Sequence, residues 1–558
     1  MAAALCVVSA DAARPTKPSA AQYDPKVPAA SYNIEQVAYI NALTRQAWSD
    51  HELRPSVAAT DGQWCRRVYL DLLGRIPTVA ELNAFLGDYN PDKKAKLVDR
   101  LLSDEYVEEY ARNWTTLWTN ILIGRSGGTE RNSLTNRGGM RQYLRRSFQR
   151  NKPYDQMVFE LISARGINKP GTPGFNGAVN FLTMKLDEDG VQATAKTSQV
   201  FMGVRVQCTQ CHDHPFNNWK QDQFWEMNAF FRQTTALRRF AGGQDVAHVD
   251  LDNQDYQGPS MEPEEAELYY EQRNGVLIAA YPVFTDIDGT RIELDRSGFL
   301  EDVDRRTELA RQVVKSGYMP VAIVNRIWAH FLNYGFTKPM DDLGPHNPAT
   351  HPELLNKLAD DFKASGYDLK QLIRWIALSE AYSLSSRFGP GNTDDDPSLG
   401  NPPMFSRFYP RQMRAEELYE SLLVATEAHK TRGSYEEQEA AKERWLSQFV
   451  VAFGTDENDE TSTFNGTIPQ ILMMFNGELI RQATNTEGGG FLHRVSTDPK
   501  LNGTQKVNLL FRSALARDAT REERKWANQA LSGRTSVVEA LQDVWWVLLN
   551  TNEFILNH

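Results

Sequence analysis

The chain has 558 residues, 41% hydrophobic and 24% charged, with 61 Lys and Arg against 72 Asp and Glu and a formal net charge of −11. That acidic balance excludes a broad basic footprint for phosphates, so no nucleic-acid partner is expected. No run of 18 or more apolar residues occurs, which excludes a membrane-spanning helix, and the length suffices for two large domains or several smaller ones.

Met1 to Ala13 form a short apolar stretch ending near Ala10-Asp11-Ala12, the A-x-A pattern that signal peptidase cuts. The first basic residue is Arg14, so this stretch reads as the tail of a signal peptide; an Ala-rich terminus without an address is the alternative. Cys6 would leave with the signal, and bulky Leu5 before it makes a poor lipoprotein site. Residues 1–30 are therefore expected to be a signal remnant and linker of an exported protein, periplasmic or extracellular.

The rest reads as mainly α: two helical domains, 31–235 and 301–558, with a small β-containing insert at 236–300. In the first, Leu97, Val98, Leu101 and Leu102 make one broad apolar stripe. Ser103-Asp104-Glu105 then starts a helix through Tyr106, Tyr110, Trp114 and Leu117. The insert is acidic and less periodic; Val276-Leu277-Ile278 and Val283 to Ile292 read as strands, with Asp288-Gly289 as a hairpin turn. Helical periodicity returns at Asp304, with Leu309, Val313, Val321, Val324 and Ile327 on apolar faces, and Arg387 to Pro403 reads as a loop.

Two stretches resemble each other. Tyr69 to Glu81 and Phe511 to Glu523 share an Arg followed by Thr-x-x-Glu, a capping box in which Thr accepts an orphan helix N–H and Glu reaches back. Each is followed by a similar helix end, Leu102 to Tyr106 and Leu549 to Phe554. The pair suggests a duplicated helical hairpin, one per domain; shared helix-start chemistry is the alternative.

Cys208-Thr209-Gln210-Cys211-His212 is C-x-x-C-H, the attachment signature of c-type haem. Two thiols one helical turn apart reach both vinyl groups of a porphyrin, and the next residue offers its imidazole to the iron. Pro215 predicts that the helix ends near His214. Phe216, Trp219, Phe224, Trp225, Phe230 and Phe231 either wall the porphyrin or pack as core. Other readings stay open: a Cys208–Cys211 disulfide, zinc on Cys208, Cys211, His212 and His214 with a ligand from elsewhere, or inert thiols. Cys65 reads as a buried free thiol. For haem iron, His212 is the axial ligand, and His330, His346, His351 and several Met residues are candidates for the sixth position.

A second polar cluster comprises Asn325, Arg326, His330, Asp341, Asp342, His346 and His351. Arg326 and His330 share a helix face at i and i+4. The group either ligates a metal or performs acid–base chemistry, or else Arg326 pairs with Asp341 or Asp342 while His351 caps the helix that Pro352 begins. No G-x-S-x-G, P-loop or H-E-x-x-H motif supports those catalytic classes.

With these motifs the chain resembles the large exported proteins of planctomycetes and related bacteria that carry two linked domains of unknown function, named for their association with cytochrome c modules. The resemblance rests on Arg67 to Thr78, Asn151 to Asp155 and Phe201 to Phe216 in the first domain. In the second it rests on Val324 to Phe331, Asp341-Asp342, His351 to Leu355, Ser379 to Tyr382, Arg414 to Leu418 and Leu549 to Phe554. It implies export, a cytochrome-like motif at Cys208, Cys211 and His212, and pairing with a secreted protein encoded nearby. It implies no activity, and none of these 558 residues is expected to form the separate cytochrome c module of many relatives. The leading expectation is a protein with one haem c, for periplasmic electron transfer or an oxidoreductase step on an unknown substrate. A non-enzymatic, partner-binding scaffold with a disulfide or metal staple is the alternative. A third reading is a hydrolytic metal centre at His330, Asp341, Asp342, His346 and His351.

Overall fold

Helix α2 (Asp61–Leu73) shows how the chain assembles. Thr60 and Gln63 close a capping box at its start, and Gly74 ends it in the left-handed region at φ 72°. Between them nearly every residue is buried, so this helix has no solvent face and must lie between other elements. Trp64, Cys65, Val68, Tyr69 and Leu72 join one hydrophobic core, whereas Leu70 joins another.

The computed structural model describes residues 29–453, 478–486, 490–533 and 536–558. The expected signal remnant and most of the linker lie outside the described residues. The fold is mainly α, with strands confined to small sheets. No helix among the described residues is long and apolar enough to cross a membrane.

The first core gathers α1 (Glu35–Asp50), α2, α3 (Val79–Leu86), α4 (Lys93–Leu101), α5 (Val107–Ile123), α6 (Arg137–Gln149) and α7 (Tyr154–Ser163). It continues without a break into α10 (Arg305–Lys315), α11 (Tyr318–Leu332), α12 (Pro352–Ala364) and α13 (Leu369–Ala377). The second core begins at Met413, runs through α14 (Ala415–Ala425) to Ile555, and takes in Leu70 and Ile76.

After the first helical stretch β2 (Thr234–Gly242) and β3 (Asp245–Asn253) pair, and β1 (Gly166–Ile167), from within that stretch, adds to β3, giving an antiparallel sheet in the order β1-β3-β2. Two hairpins follow, β4 (Leu268–Glu271) with β5 (Leu277–Ala280) and β6 (Val283–Thr285) with β7 (Arg291–Glu293). The Asp288-Gly289 turn closes the second as its sequence predicts, Gly289 adopting φ 83° and Asp286 N–H donating to Thr290 O at 2.9 Å.

Buried charge ties the distant segments together. Arg66 donates to the carbonyls of Phe554 (2.6 Å) and Leu556 (3.1 Å). Arg67 donates to the carbonyls of Tyr382 and Leu384, with its guanidinium 3.5 Å from the Phe408 ring centre. Asp71, with no exposure, accepts from Tyr382 (2.6 Å), Arg411 (2.7 Å) and Asn557 (2.9 Å). Burial raises its carboxyl above the usual range, while the Arg411 charge opposes that rise.

The two similar stretches adopt matching arrangements. Arg75 chelates Glu81 and Glu109, and Arg517 chelates Glu523 and Glu553. Their guanidiniums lie 5.2 Å from the Tyr69 ring and 5.4 Å from the Phe511 ring. Ala516 takes the left-handed φ of 55° at the position of Gly74. Both Thr-x-x-Glu capping boxes form. One register differs from the sequence match: the second carboxylate on Arg75 is Glu109, whereas Glu105 pairs with Arg100.

Candidate functional site

The C-x-x-C-H segment follows α8 (Val191–Thr197), which widens into a π turn at Ser198–Met202 and stops at Gly203 with φ 67°. A Cβ on Gly203 would lie 3.0 Å from Ala322 Cβ on α11, so a side chain here would crowd that helix. The π turn projects Gln199 across to the second helical stretch, where its amide donates to Asp341 Oδ2 at 2.8 Å. Arg205 donates to Asp341 Oδ1 at 2.8 Å, and Leu343 N–H donates to Gly203 O at 2.7 Å.

The motif itself is a 3-10 turn, Gln207–Gln210, rather than the α-helical turn its spacing suggests. The chain has left helical hydrogen bonding by Cys211, earlier than the end expected near His214. In 3-10 geometry residues i and i+3 eclipse, so Cys208 and Cys211 still emerge on one side. Cys208 is half-buried, Cys211 exposed, and both are free thiols; Cys65 is a buried free thiol, as its context suggests. Thr209 is fully buried and donates to Val206 O at 2.6 Å. From below, α9 (Gln221–Asn228) pins the turn: Trp225 Nε1 donates to Gln210 O at 3.0 Å, and Gln221 Nε2 donates there at 3.2 Å.

The histidine tautomers follow from their partners. His212 Nδ1 lies 2.6 Å from Asp213 O, and a carbonyl only accepts, so Nδ1 carries the hydrogen and Nε2 keeps its lone pair. His214 is reversed: its Nδ1 accepts from Phe216 N–H (3.2 Å) and Asn217 N–H (2.8 Å), which puts its hydrogen on Nε2. His214 therefore has no ring nitrogen ready for zinc. Its ring lies 5.7 Å from that of His346, whose Nε2 donates to Asp342 Oδ2 at 3.0 Å. His346 Nδ1 and Asp342 Oδ1 are buried without hydrogen-bond partners among the described residues.

The two polar clusters of the sequence thus meet in part. Asp341 pairs with Gln199 and Arg205 just before the Cys208 turn, His346 lies beside His214 just after it, and Asp342 is near enough to act on the Cys208 thiol. His330 and His351 stand apart. His330 donates from Nε2 to Asp71 O at 3.1 Å and accepts from Arg414 on Nδ1 at 3.3 Å; burial, then Arg414 and Arg411, lower its pKa to about 3. His351 is enclosed by Phe336 and Phe405, and burial lowers it to about 4. Its side chain does not cap α12 but meets Thr350 Oγ1 at 2.9 Å. Arg326 reaches Gln199 O at 3.4 Å, while Asp341 takes Arg205 and Asp342 takes His346. No three His, Cys, Asp or Glu side chains among the described residues converge as a metal site.

The aromatic tract is largely core. Trp219, Phe224, Phe230 and Phe231 are buried, Trp225 stacks on Tyr270 at 5.9 Å, and Phe216 alone stands out, 74% exposed. Burial, reinforced by nearby Asp342, raises the Cys208 thiol, the opposite of an activated redox cysteine. Sequence reasoning missed Gln199, Arg205 and Asn217, whose amide donates to Leu343 O at 3.2 Å. Neither their type nor their spacing marks them, because their partners lie more than a hundred residues away.

Residues 39–236 match the family model described as PSCyt2, protein of unknown function (DUF1549). Residues 305–531 match the model described as PSD1, protein of unknown function (DUF1553). No curated protein and no solved structure matches the chain. The chain therefore carries in tandem a region similar to each of two families of unknown function, with the Cys208 turn in the first and the Asp341–His346 loop of the second packed on the segments that flank that turn.

Proposed function

We propose that this is an exported protein carrying one c-type haem on Cys208, Cys211 and His212, serving periplasmic electron transfer or an oxidoreductase step. The carrying observation is the His212 tautomer: Asp213 O holds the Nδ1 hydrogen, which leaves Nε2 as an iron ligand with the carbonyl as its orienting partner. The eclipsed thiols and the turn's anchors to Trp225 and Gln221 support the same reading. The name of the matched family model, PSCyt2, points that way too. When bound, such a group supplies a one-electron couple. The chain's own share is to hold the imidazole in one tautomer and fix both thiols on one side. Of the His candidates for the sixth position, His346 lies beside His214 in the segment after the motif, whereas His330 and His351 are enclosed.

The test is the denatured mass and visible spectrum of protein exported by a host with a haem-attachment system. One added haem, absent in Cys208→Ala/Cys211→Ala, is the expected result. A loss of two hydrogens would replace this reading with a partner-binding scaffold stapled by a Cys208–Cys211 disulfide. That second reading is favoured by two free thiols one turn apart, one of them exposed. An unchanged mass rejects both covalent assignments.

A further inference from the structure

A cleft of about 410 Å³ opens where three parts of the chain meet. The first helical stretch supplies Asn217, Asn218 and Trp219; the β6–β7 hairpin supplies Thr285, Asp286 and Asp288. The second stretch supplies Tyr318 and the Leu343–Pro345 segment. We propose that this cleft binds a small, neutral, polyhydroxylated molecule of monosaccharide to disaccharide size.

Four features carry the proposal. The volume falls within the range of about 300–1,000 Å³ typical of small-molecule sites. The lining is mixed, pairing aromatic surface with amides, a hydroxyl and carboxylates, and no Lys, Arg or His contributes to it, so an anion finds no counter-charge. Rigid rings beside convergent donors and acceptors suit a molecule with apolar C–H faces and a rim of hydroxyls, each hydroxyl both donating and accepting.

Next, the polar groups are held in place. Asp286 Oδ1 accepts from Ile287 N–H (2.7 Å) and Gly317 N–H (3.0 Å), and Asp288 Oδ1 accepts from Thr290 N–H (2.9 Å). Each carboxylate is thereby oriented by backbone through one oxygen. Asn217 is fixed by its bond to Leu343 O. The aromatic wall is equally fixed: Trp219 and Tyr318 are more than nine-tenths buried, with ring centres 6.5 Å apart. A preorganised site of this kind loses little side-chain freedom on binding.

Last, the wall at Gly344 is made of backbone. A Cβ there would fall 2.6 Å from Asn217 Nδ2 and 2.9 Å from His346 Nδ1, so only glycine lets those two nitrogens stand directly behind the cleft. This puts His346, the partner of Asp342, directly behind the cleft wall. The proposal does not rest on the haem reading, because no lining residue belongs to the motif.

The test is isothermal titration calorimetry of the full chain with cellobiose, maltose and sucrose, with succinate and spermidine as charged controls, each up to about 50 mM. Saturable binding of at least one disaccharide, and none of succinate, is expected. Asn218→Ala and Asp288→Ala, both at exposed positions, should each weaken it about fivefold or more. Asp394→Ala, in a separate cleft near His51, should leave it unchanged. The proposal is overturned if no disaccharide binds, if spermidine binds more tightly than every disaccharide, or if Asp394→Ala weakens binding as much as the cleft variants. Should one cleft variant fail to fold, the other carries the comparison.

Discussion

Arg75 and Arg517 sit in the same device, a guanidinium gripped by two carboxylates over an aromatic ring at a helix–helix turn, yet in different surroundings. Arg75 lies at the seam of the two cores: its neighbour Ile76 belongs to the second core and donates N–H to Ser421 Oγ at 3.3 Å. Its side chain is 9% exposed, against 25% for Arg517. The same local sequence thus serves as a buried joint in one place and a partly wet clasp in the other. What the contrast teaches is that a short motif specifies geometry, whereas its energetic weight comes from what packs on it.

The largest effect should separate the two arginines. Arg75→Ala leaves Glu81 facing a buried gap, and should cost about 3–5 kcal/mol in urea unfolding. Arg517→Ala, screened by solvent, should cost about 1 kcal/mol. Equal losses would break the comparison.

Acid should sharpen the same difference. The Arg75 partnership, which outweighs burial, holds Glu81 at about 2 against an ordinary 4.5, so its stabilising share is complete above pH 4.5 and is lost as pH falls toward 2. Glu523 is lowered too, by Arg517 and the Thr520 amide, from a more exposed position. Between pH 5 and pH 2.5 the Glu81→Gln variant should lose about 2 kcal/mol of the wild-type slope in unfolding free energy, and Glu523→Gln less.

Helix ends at the two turns should respond with opposite sign. Gly74 has φ 72°, and an added Cβ would meet Asn113 Oδ1 at 2.6 Å, so Gly74→Ala should destabilise by about 1–2 kcal/mol. Ala516 already bears the strain of a positive φ, and Ala516→Gly should raise stability by up to about 1 kcal/mol. Differential scanning calorimetry resolves both.

The smallest contrast is at the caps. Thr78→Ala and Thr520→Ala each remove one hydroxyl acceptor, at 3.2 Å in both copies, and should cost about 1 kcal/mol apiece. A several-fold inequality in chemical denaturation would show that the two boxes differ in more than their settings.

The sequence was most legible where structure is local. The capping boxes, the Asp288-Gly289 turn, the strands around it and the helical stripes at Leu97 to Leu102 all follow from residues within one or two turns of each other. The Arg75 and Arg517 match was legible for the same reason, apart from Glu109, which arrives from another helix. The site was legible as a motif and illegible as a place. Periodicity could not show that His330 and Arg326 part from Asp341, since their helix turns them toward the Asp71 network and Gln199. Nor could it show that the tract after Cys211 is core: aromatic residues read alike whether they line a pocket or fill one.

The bond from Arg66 to the carbonyl of Phe554 spans 488 residues. On a ribosome moving at about 5–20 residues per second, the acceptor follows its donor by roughly 25–100 s. Throughout that interval α2 holds a guanidinium destined for the interior and nothing to receive it. Were α2 to seal before Phe554 is in place, that charge would be trapped inside without its acceptor.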